Sequence, residues 1–255
     1  SLVNADDARV IEIWNLVFIQ FNRGNDGSLS PLPATGVDTG MGLERVCRVL
    51  QGVDSNYSTD LFTPLLQSIS EQTGTQDAEG EIGVAYRVIA DHLRALSFAI
   101  ADGAIPSNEG RGYVLRRMLR RATRFGRVLG MERPFIFRLV PTLCDVMGDS
   151  FPEVRQQRDH VMRVIEAEEA SFGQTLDRGL EIFEQMVSQP ETQQKQELSG
   201  EDTFKLYDTY GFPVDLTRLM CEERQLRVDE AGFERSMEAQ RNKARESAKF
   251  QAAQI

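Results

Sequence analysis

The chain has 255 residues, of which 41% are hydrophobic, and 29 Lys+Arg against 39 Asp+Glu give it a formal charge of -10. That length supports one large domain or two smaller ones around a proper core. No run of about 18 apolar residues reads as a membrane span, and the acidic balance argues against a surface that binds nucleic acid all over, while leaving a local basic strip open.

The start, SLVNADDARV, is polar and unlike a secretory signal, and opening on Ser1 rather than Met suggests a trimmed fragment. Cys47, Cys144 and Cys221 are odd in number and far apart, as expected of free thiols in a reducing, cytoplasmic compartment. Neither His92 nor His160 has a Cys or His at ligand spacing, so no metal site is expected in these residues.

Residues 11–21, IEIWNLVFIQF, are apolar on both alternate faces, which predicts a strand buried inside a sheet. Asn15 interrupts this run. An unpaired buried amide costs roughly 1–3 kcal/mol, so Asn15 is either a satisfied structural group or part of a ligand pocket. Trp14 beside it reads first as core. The turn-rich NRGNDGSLSPLP predicts a hairpin connection, and TGVDTGMGLERVCRVLQG predicts a strand, a glycine turn and a helix ending at Gly52.

That turn is not a dinucleotide fingerprint, because Arg45 stands where the third glycine is needed. Gly40 and Gly42 permit close approach of a flat or charged ligand, Arg45 can fork onto a phosphate, and Asp38 can take an ammonium group. Ordinary loop geometry explains two glycines equally well.

Beyond residue 56 the periodicity is helical, with helices expected near 58–74, 84–102, 111–129, 132–147, 152–188, 201–208, 214–225 and 229–248, and a polar linker at 190–200. Residues 106–130, PSNEGRGYVLRRMLRRATRFGRVLG, hold seven arginines and one acid. On a helix, Arg116, Arg117, Arg120, Arg121, Arg124 and Arg127 fall within an arc of about 140°, opposite an apolar face. Such a stripe is commonly a solvated face paired with acids from neighbouring helices. Its like-charge i, i+4 pairs, with no Glu interleaved, equally suggest an external polyanion such as RNA. Asn108 in the preceding turn has the donor and acceptor of a base reader, although a turn or N-cap role is commoner. Asp208, before Tyr210-Gly211-Phe212-Pro213, reads by itself as a turn residue.

VDTGMGLER resembles motif 3 of class II aminoacyl-tRNA synthetases. Together with IEIWNLVFIQFNR, RVIADHLRALSFAIADGAIPSNEGRGYVLRRMLRRA and KLYDTYGFPVDLT, in that order, it is similar to the alanyl-tRNA synthetase family over nearly the whole chain. The resemblance implies a mainly α fold. Residues 1–55 would be the C-terminal part of the class II antiparallel β-sheet catalytic domain, and 56–255 the helical tRNA-recognition domain.

The resemblance also implies roles for single residues. Ile13, Trp14 and Asn15 would line the ATP and alanine pocket, with Asp38 on the alanine ammonium and Gly40 beside it. Gly42 would lie against the nucleotide, and Arg45, the catalytic candidate, would meet the ATP phosphates. Asn108 and Asp208 match the pair that reads the G·U wobble pair of the tRNA(Ala) acceptor stem. Arg111, Arg116, Arg117, Arg120, Arg121 and Arg124 are the accompanying tRNA-binding positions. A carboxylate and an amide suit the guanine amino group in the wide A-form minor groove.

The family activates L-alanine with ATP and Mg²⁺ and transfers it to the tRNA 3′ end, and its zinc belongs to an editing domain outside these residues. Motifs 1 and 2 are also outside them, so the chain alone is expected not to make alanyl-adenylate. The alternative is a non-catalytic helical module that binds RNA or protein, with the long helix through 154–186 as a partner surface.

Overall fold

The computed structural model describes residues 10–77 and 79–252, with side chains as far as residue 242. Two compact units result, Ser1–Leu65 and Leu66–Ile255; the sequence had placed the division at 55/56.

In the first unit, β1 (Trp14–Arg23) and β2 (Leu29–Met41) form an antiparallel hairpin. Its turn is closed by Gly24 N–H to Ser28 O at 2.9 Å and by the Asp26 carboxylate, which accepts from Ser28 N at 3.0 Å. Gly27 supplies the left-handed backbone there, at φ 83°. The helix α1 (Leu43–Gln51) follows and stops at Gly52, which is left-handed at φ 65°. The strand is apolar on both faces as the sequence suggests, but both faces are open in this chain: Trp14, Leu16, Val17, Phe18 and Phe21 are all exposed. Among the described residues the hairpin forms a sheet of two strands only.

The second unit is helical. Its α-helices are α2 (Thr63–Thr73, straddling the boundary), α3 (Glu81–Ala101), α4 (Gly110–Val128), α5 (Val140–Met147), α6 (Pro152–Gln156), α7 (Arg158–Val187), α8 (Pro190–Lys195), α9 (Gly200–Tyr210), α10 (Val214–Glu222) and α11 (Glu230–Ala252). One core unites α7, α9 and α10 around Phe172, Leu176, Phe183, Leu206, Phe212 and Leu216, all at most 2% exposed. The Phe172 and Phe212 rings meet edge-on, centroids 5.7 Å apart.

The helix expected at 58–74 begins only at Thr63, that at 152–188 breaks at Gln157, and two further expectations need correction. Residues 131–135 are not helical: Pro134 disfavours helical backbone at Arg133, and a 3₁₀ turn at Ile136–Leu139 precedes α5. The expected linker at 190–200 contains α8, started by Pro190 at its first turn, and the strand β3 (Glu197–Leu198). This strand pairs in parallel with β4 (Arg227–Val228), a partner too distant to read from local sequence.

The end of α9 is a Schellman motif: Phe212 N–H reaches Leu206 O at 3.0 Å and Gly211 N–H reaches Tyr207 O at 3.2 Å, with Gly211 at φ 68°. Pro213 then prevents continuation. Local chemistry thus fixes Asp208 in the last turn of α9. The start of α4 is fixed differently. Gly112 is buried against the preceding loop, and a Cβ there would fall inside contact distance of Ser107 Oγ and the Ile105 carbonyl.

Two predictions follow from this packing. Gly112→Ala must lift the 105–108 loop, and is expected to cost about 1–3 kcal/mol in denaturant unfolding; an unchanged midpoint would show that the loop yields freely. The second concerns Glu169, 2% exposed, whose carboxylate accepts from Phe135 N and Ile136 N, each at 3.1 Å. Burial pushes its acid up from 4.5 to about 7, against the pull of those amides and of Arg127 and Arg138. A raised folded-state value makes its contribution to stability full below about pH 4.5 and lost as the pH climbs through about 7, a swing of about 3 kcal/mol. Glu169→Gln should therefore flatten the stability profile between those pH values, and a slope equal to that of the parent chain would refute it.

Candidate functional site

In the hairpin, Asn15 pairs with Gly40 and Val17 with Asp38. Directly opposed residues of an antiparallel pair share a face, and alternate residues do too. Asn15, Asp38 and Gly40 therefore lie on one face. Gly40 leaves a gap between the two polar side chains, since a Cβ at that position would touch nothing within 4 Å.

Trp14 belongs to the opposite face, where its indole N–H donates to the Thr39 hydroxyl. Of the residues assigned to one pocket from the sequence, the structure thus groups Asn15 with Asp38 and Gly40, and separates Trp14 from them. Ile13 is placed beside Gly42 by the Gly42 N–H to Ile13 O bond at 3.0 Å. The Asn15 amide reaches Glu12 Oε1 at 3.4 Å. Arg45, exposed on α1, donates to the Glu12 carbonyl at 2.7 Å.

The arginine face of α4 is largely occupied by acids from elsewhere in the second unit. Glu168 of α7 takes Arg120 at 3.0–3.1 Å. Arg116 Nε lies 3.1 Å from the same carboxylate as an ion pair without hydrogen-bond alignment. Arg120 also donates to the Gly211 carbonyl at 2.5 Å and lies over the Phe172 ring at 5.1 Å. Arg124 forks onto Glu223, with one arm at 2.9 Å, and Arg127 forks onto Asp177 at 2.7 and 3.2 Å.

The acids that the local sequence lacks therefore come from 48 to 99 residues further on. This is the part that sequence reading missed, and nothing local to α4 could have supplied it. Arg117 has only a loose pair, 3.5 Å from Asp215. Arg111 is exposed, and neither it nor Arg121 has a partner among the described residues.

Asn108 and Asp208, a hundred residues apart in the chain, open onto the same cleft of about 420 Å³, with Tyr113, Arg116, Arg117, Arg120, Tyr207 and Gln240 among its lining. Asn108 is not the N-cap of α4. Glu109 holds that position, and the Asn108 side-chain oxygen instead accepts from Arg116. Asp208 Oδ1 accepts from the Gln240 amide of α11 at 2.5 Å. Both side chains are exposed, so the cleft presents a carboxylate and an amide to solvent beside cationic groups. Gln240, Tyr113 and Tyr207 were not singled out from sequence.

Among the described residues no three His, Cys, Asp or Glu come together as a metal cage. No helix among them is long and apolar enough to cross a membrane.

Comparison with known proteins gives the family. Residues 1–255 match the family model described as tRNA synthetases class II (A). Over 249 residues the chain is 57% identical to the alanine–tRNA ligase of Chlorobium phaeovibrioides, covering 96% of this chain and 28% of that protein. It is 55% identical to the ligase of Chlorobaculum tepidum over 247 residues, with the same coverage. It is 49% identical to that of Geobacillus kaustophilus over 241 residues, covering 94% of this chain and 27% of that protein. The chain thus spans little more than a quarter of the length of the curated relatives it matches. The hairpin, the helical unit that follows it and a family match running from end to end lead to one assignment: the chain belongs to the class II (A) tRNA synthetases.

Proposed function

We propose that this chain is a segment of an alanine–tRNA ligase of the cytoplasm, which activates L-alanine with ATP and transfers it to the tRNA 3′ end. Residues 1–55 are assigned to the catalytic domain and 56–255 to recognition of the tRNA(Ala) acceptor stem. The observation that carries the second assignment is the convergence of Asn108 and Asp208 on one cleft. Phosphate contacts position a nucleic acid and base-edge contacts specify it. In an A-form stem the minor groove is open to side chains, and the guanine N2 amino group is a donor there that a carboxylate can accept.

The hairpin face fits the small substrates in chemistry. Asp38 offers a carboxylate to the alanine ammonium, Asn15 an amide to the same molecule, and Gly40 room between them. Gly42 and Arg45 stand at the head of α1, where an exposed guanidinium suits a phosphate. Trp14 is oriented away from Asn15, so its part in the nucleotide pocket is to back the sheet and not to touch alanine. Mg²⁺ would supply charge neutralisation on the phosphates; we assign it no ligand among these residues. What the chain's own groups contribute is orientation and charge complementarity, which is most of what catalysis of adenylate formation requires.

The arginines divide by their surroundings. Arg120 and Arg124 are pinned by Glu168, Gly211 and Glu223, and Arg116 is drawn toward Glu168. We assign Arg120 and Arg124 to holding the cleft together, and Arg111, Arg117 and Arg121 to phosphate.

Asn108→Ala or Asp208→Ala should cost about 1–3 kcal/mol in binding a stem with the G·U pair, and little on a G·C stem; equal losses on both stems would remove the specificity role. Arg111→Ala should weaken both stems and reduce the salt slope by about one, with unfolding unchanged. Arg120→Ala should instead destabilise the fold by about 1–3 kcal/mol. If Arg120→Ala changed the salt slope while leaving unfolding untouched, this division of the arginines would be wrong.

A further inference from the structure

The cleft fixes more than the positions of Asn108 and Asp208; it fixes which of their atoms are free. Arginine is donor-only, so an amide facing Arg116 must offer its oxygen. The Asn108 Oδ1 accepts from Arg116, and this turns the NH₂ group away from it. An ionised carboxylate is acceptor-only, so an amide facing Asp208 must offer its NH₂. The Gln240 Nε2 does so at 2.5 Å and occupies Oδ1. The groups left without a protein partner are Oδ2 of Asp208, an acceptor, and Nδ2 of Asn108, a donor.

We propose that Gln240 is a positioning residue for wobble-pair recognition. From α11 it fixes the orientation of the Asp208 carboxylate so that the unpartnered Oδ2 is turned to the guanine amino group, while Arg116 sets the matching donor polarity of Asn108. This inference rests on the base-reading role proposed above for Asp208. An acceptor beside a donor complements the minor-groove edge of guanine, whose N2 amino group donates and whose N3 accepts. Without Gln240 the carboxylate rotates about χ2 and splits its time between orientations, so the discriminating contact weakens while phosphate contacts are untouched.

The placement of Gln240 follows from the fold. α11 lies along α9, with Phe233 packed edge-on against Tyr207 at 5.6 Å and tilted against Phe204 at 6.4 Å. Gly200 allows this approach, since a Cβ there would run into the Gly232–Phe233 backbone. Gln240 is two turns beyond Phe233, on the side that carries Met237, and Met237 lines the same cleft. Gln240 and Asp208 are both exposed, so substitution removes one hydrogen bond without opening a core.

The test is the ratio of dissociation constants of this chain for G·C and G·U acceptor-stem hairpins, measured for the parent chain, Gln240→Ala, Gln240→Glu, Asp208→Asn and the Gln240→Ala/Asp208→Asn double variant. The expected result for Gln240→Ala is a roughly 2- to 10-fold drop in the ratio, with affinity for the G·C stem unchanged. Gln240→Glu, which sets one carboxylate against another, should lower the ratio further. The double variant should show no loss beyond that of Asp208→Asn, since the two residues act through one contact.

A parent-like ratio in Gln240→Ala, alongside a collapsed ratio in Asp208→Asn, would overturn the positioning role and leave base reading by Asp208 standing. Tighter G·U binding by Gln240→Ala would overturn it too, by showing that Gln240 competes with the RNA for Asp208. A parent-like ratio in Asp208→Asn would overturn the base-reading role itself, and this inference with it.

Discussion

The helical unit depends on one seam: the face of α4 on which Arg116, Arg120, Arg124 and Arg127 meet Glu168, Glu223 and Asp177. Packing four guanidinium groups along one helix is repulsive by itself. The fold resolves this by drawing acids from α7 and the end of α10 onto the stripe. Arg120 is the centre of the seam, because it reaches Glu168 on one side and the Gly211 carbonyl on the other. That second bond ties the Schellman end of α9 to α4. Since Asp208 lies in the last turn of α9 and Asn108 just before α4, the seam brings the two side chains to a common cleft. Side chains exposed by 17% and 10% at the Arg120–Glu168 pair are screened far less than a surface pair would be.

The functional division among the arginines follows from the same geometry. A guanidinium with its fork already closed on a carboxylate has few donors left for phosphate, whereas an unpaired or loosely paired one keeps its charge available. Within this acidic chain, Arg116, Arg120, Arg124 and Arg127 of the basic strip are paired across helices, while Arg111 stays open.

How much of this was legible in the sequence depends on how local its cause is. The Gly211-Phe212-Pro213 stop and the Gly52 stop depend on residues within one turn, and both read directly. The turn-rich residues 22–33 between two apolar runs announced the hairpin, and the apolar periodicity of 112–129 announced the buried face of α4. What did not read was set at long range. The partners of Arg120 and Arg124 lie in other helices, β3 pairs with β4 across about 30 residues, and the Phe135 and Ile136 amides find their acceptor in Glu169 of α7. Trp14 shows the limit within the hairpin: the family resemblance implied a pocket shared with Asn15, whereas strand alternation puts the two on opposite faces.

The most direct test of the account is binding of this chain to two acceptor-stem hairpins that differ in one functional group, a G·U pair against an inosine·U pair. Inosine keeps the wobble geometry and the phosphate path but lacks the guanine N2 amino group. The account predicts that the inosine stem binds about 5- to 100-fold more weakly, as expected for loss of one base-edge contact, and that Asp208→Asn erases the difference. Equal affinity of the parent chain for both stems would contradict it, and would leave the cleft between α4 and α9 as a phosphate cradle without base reading.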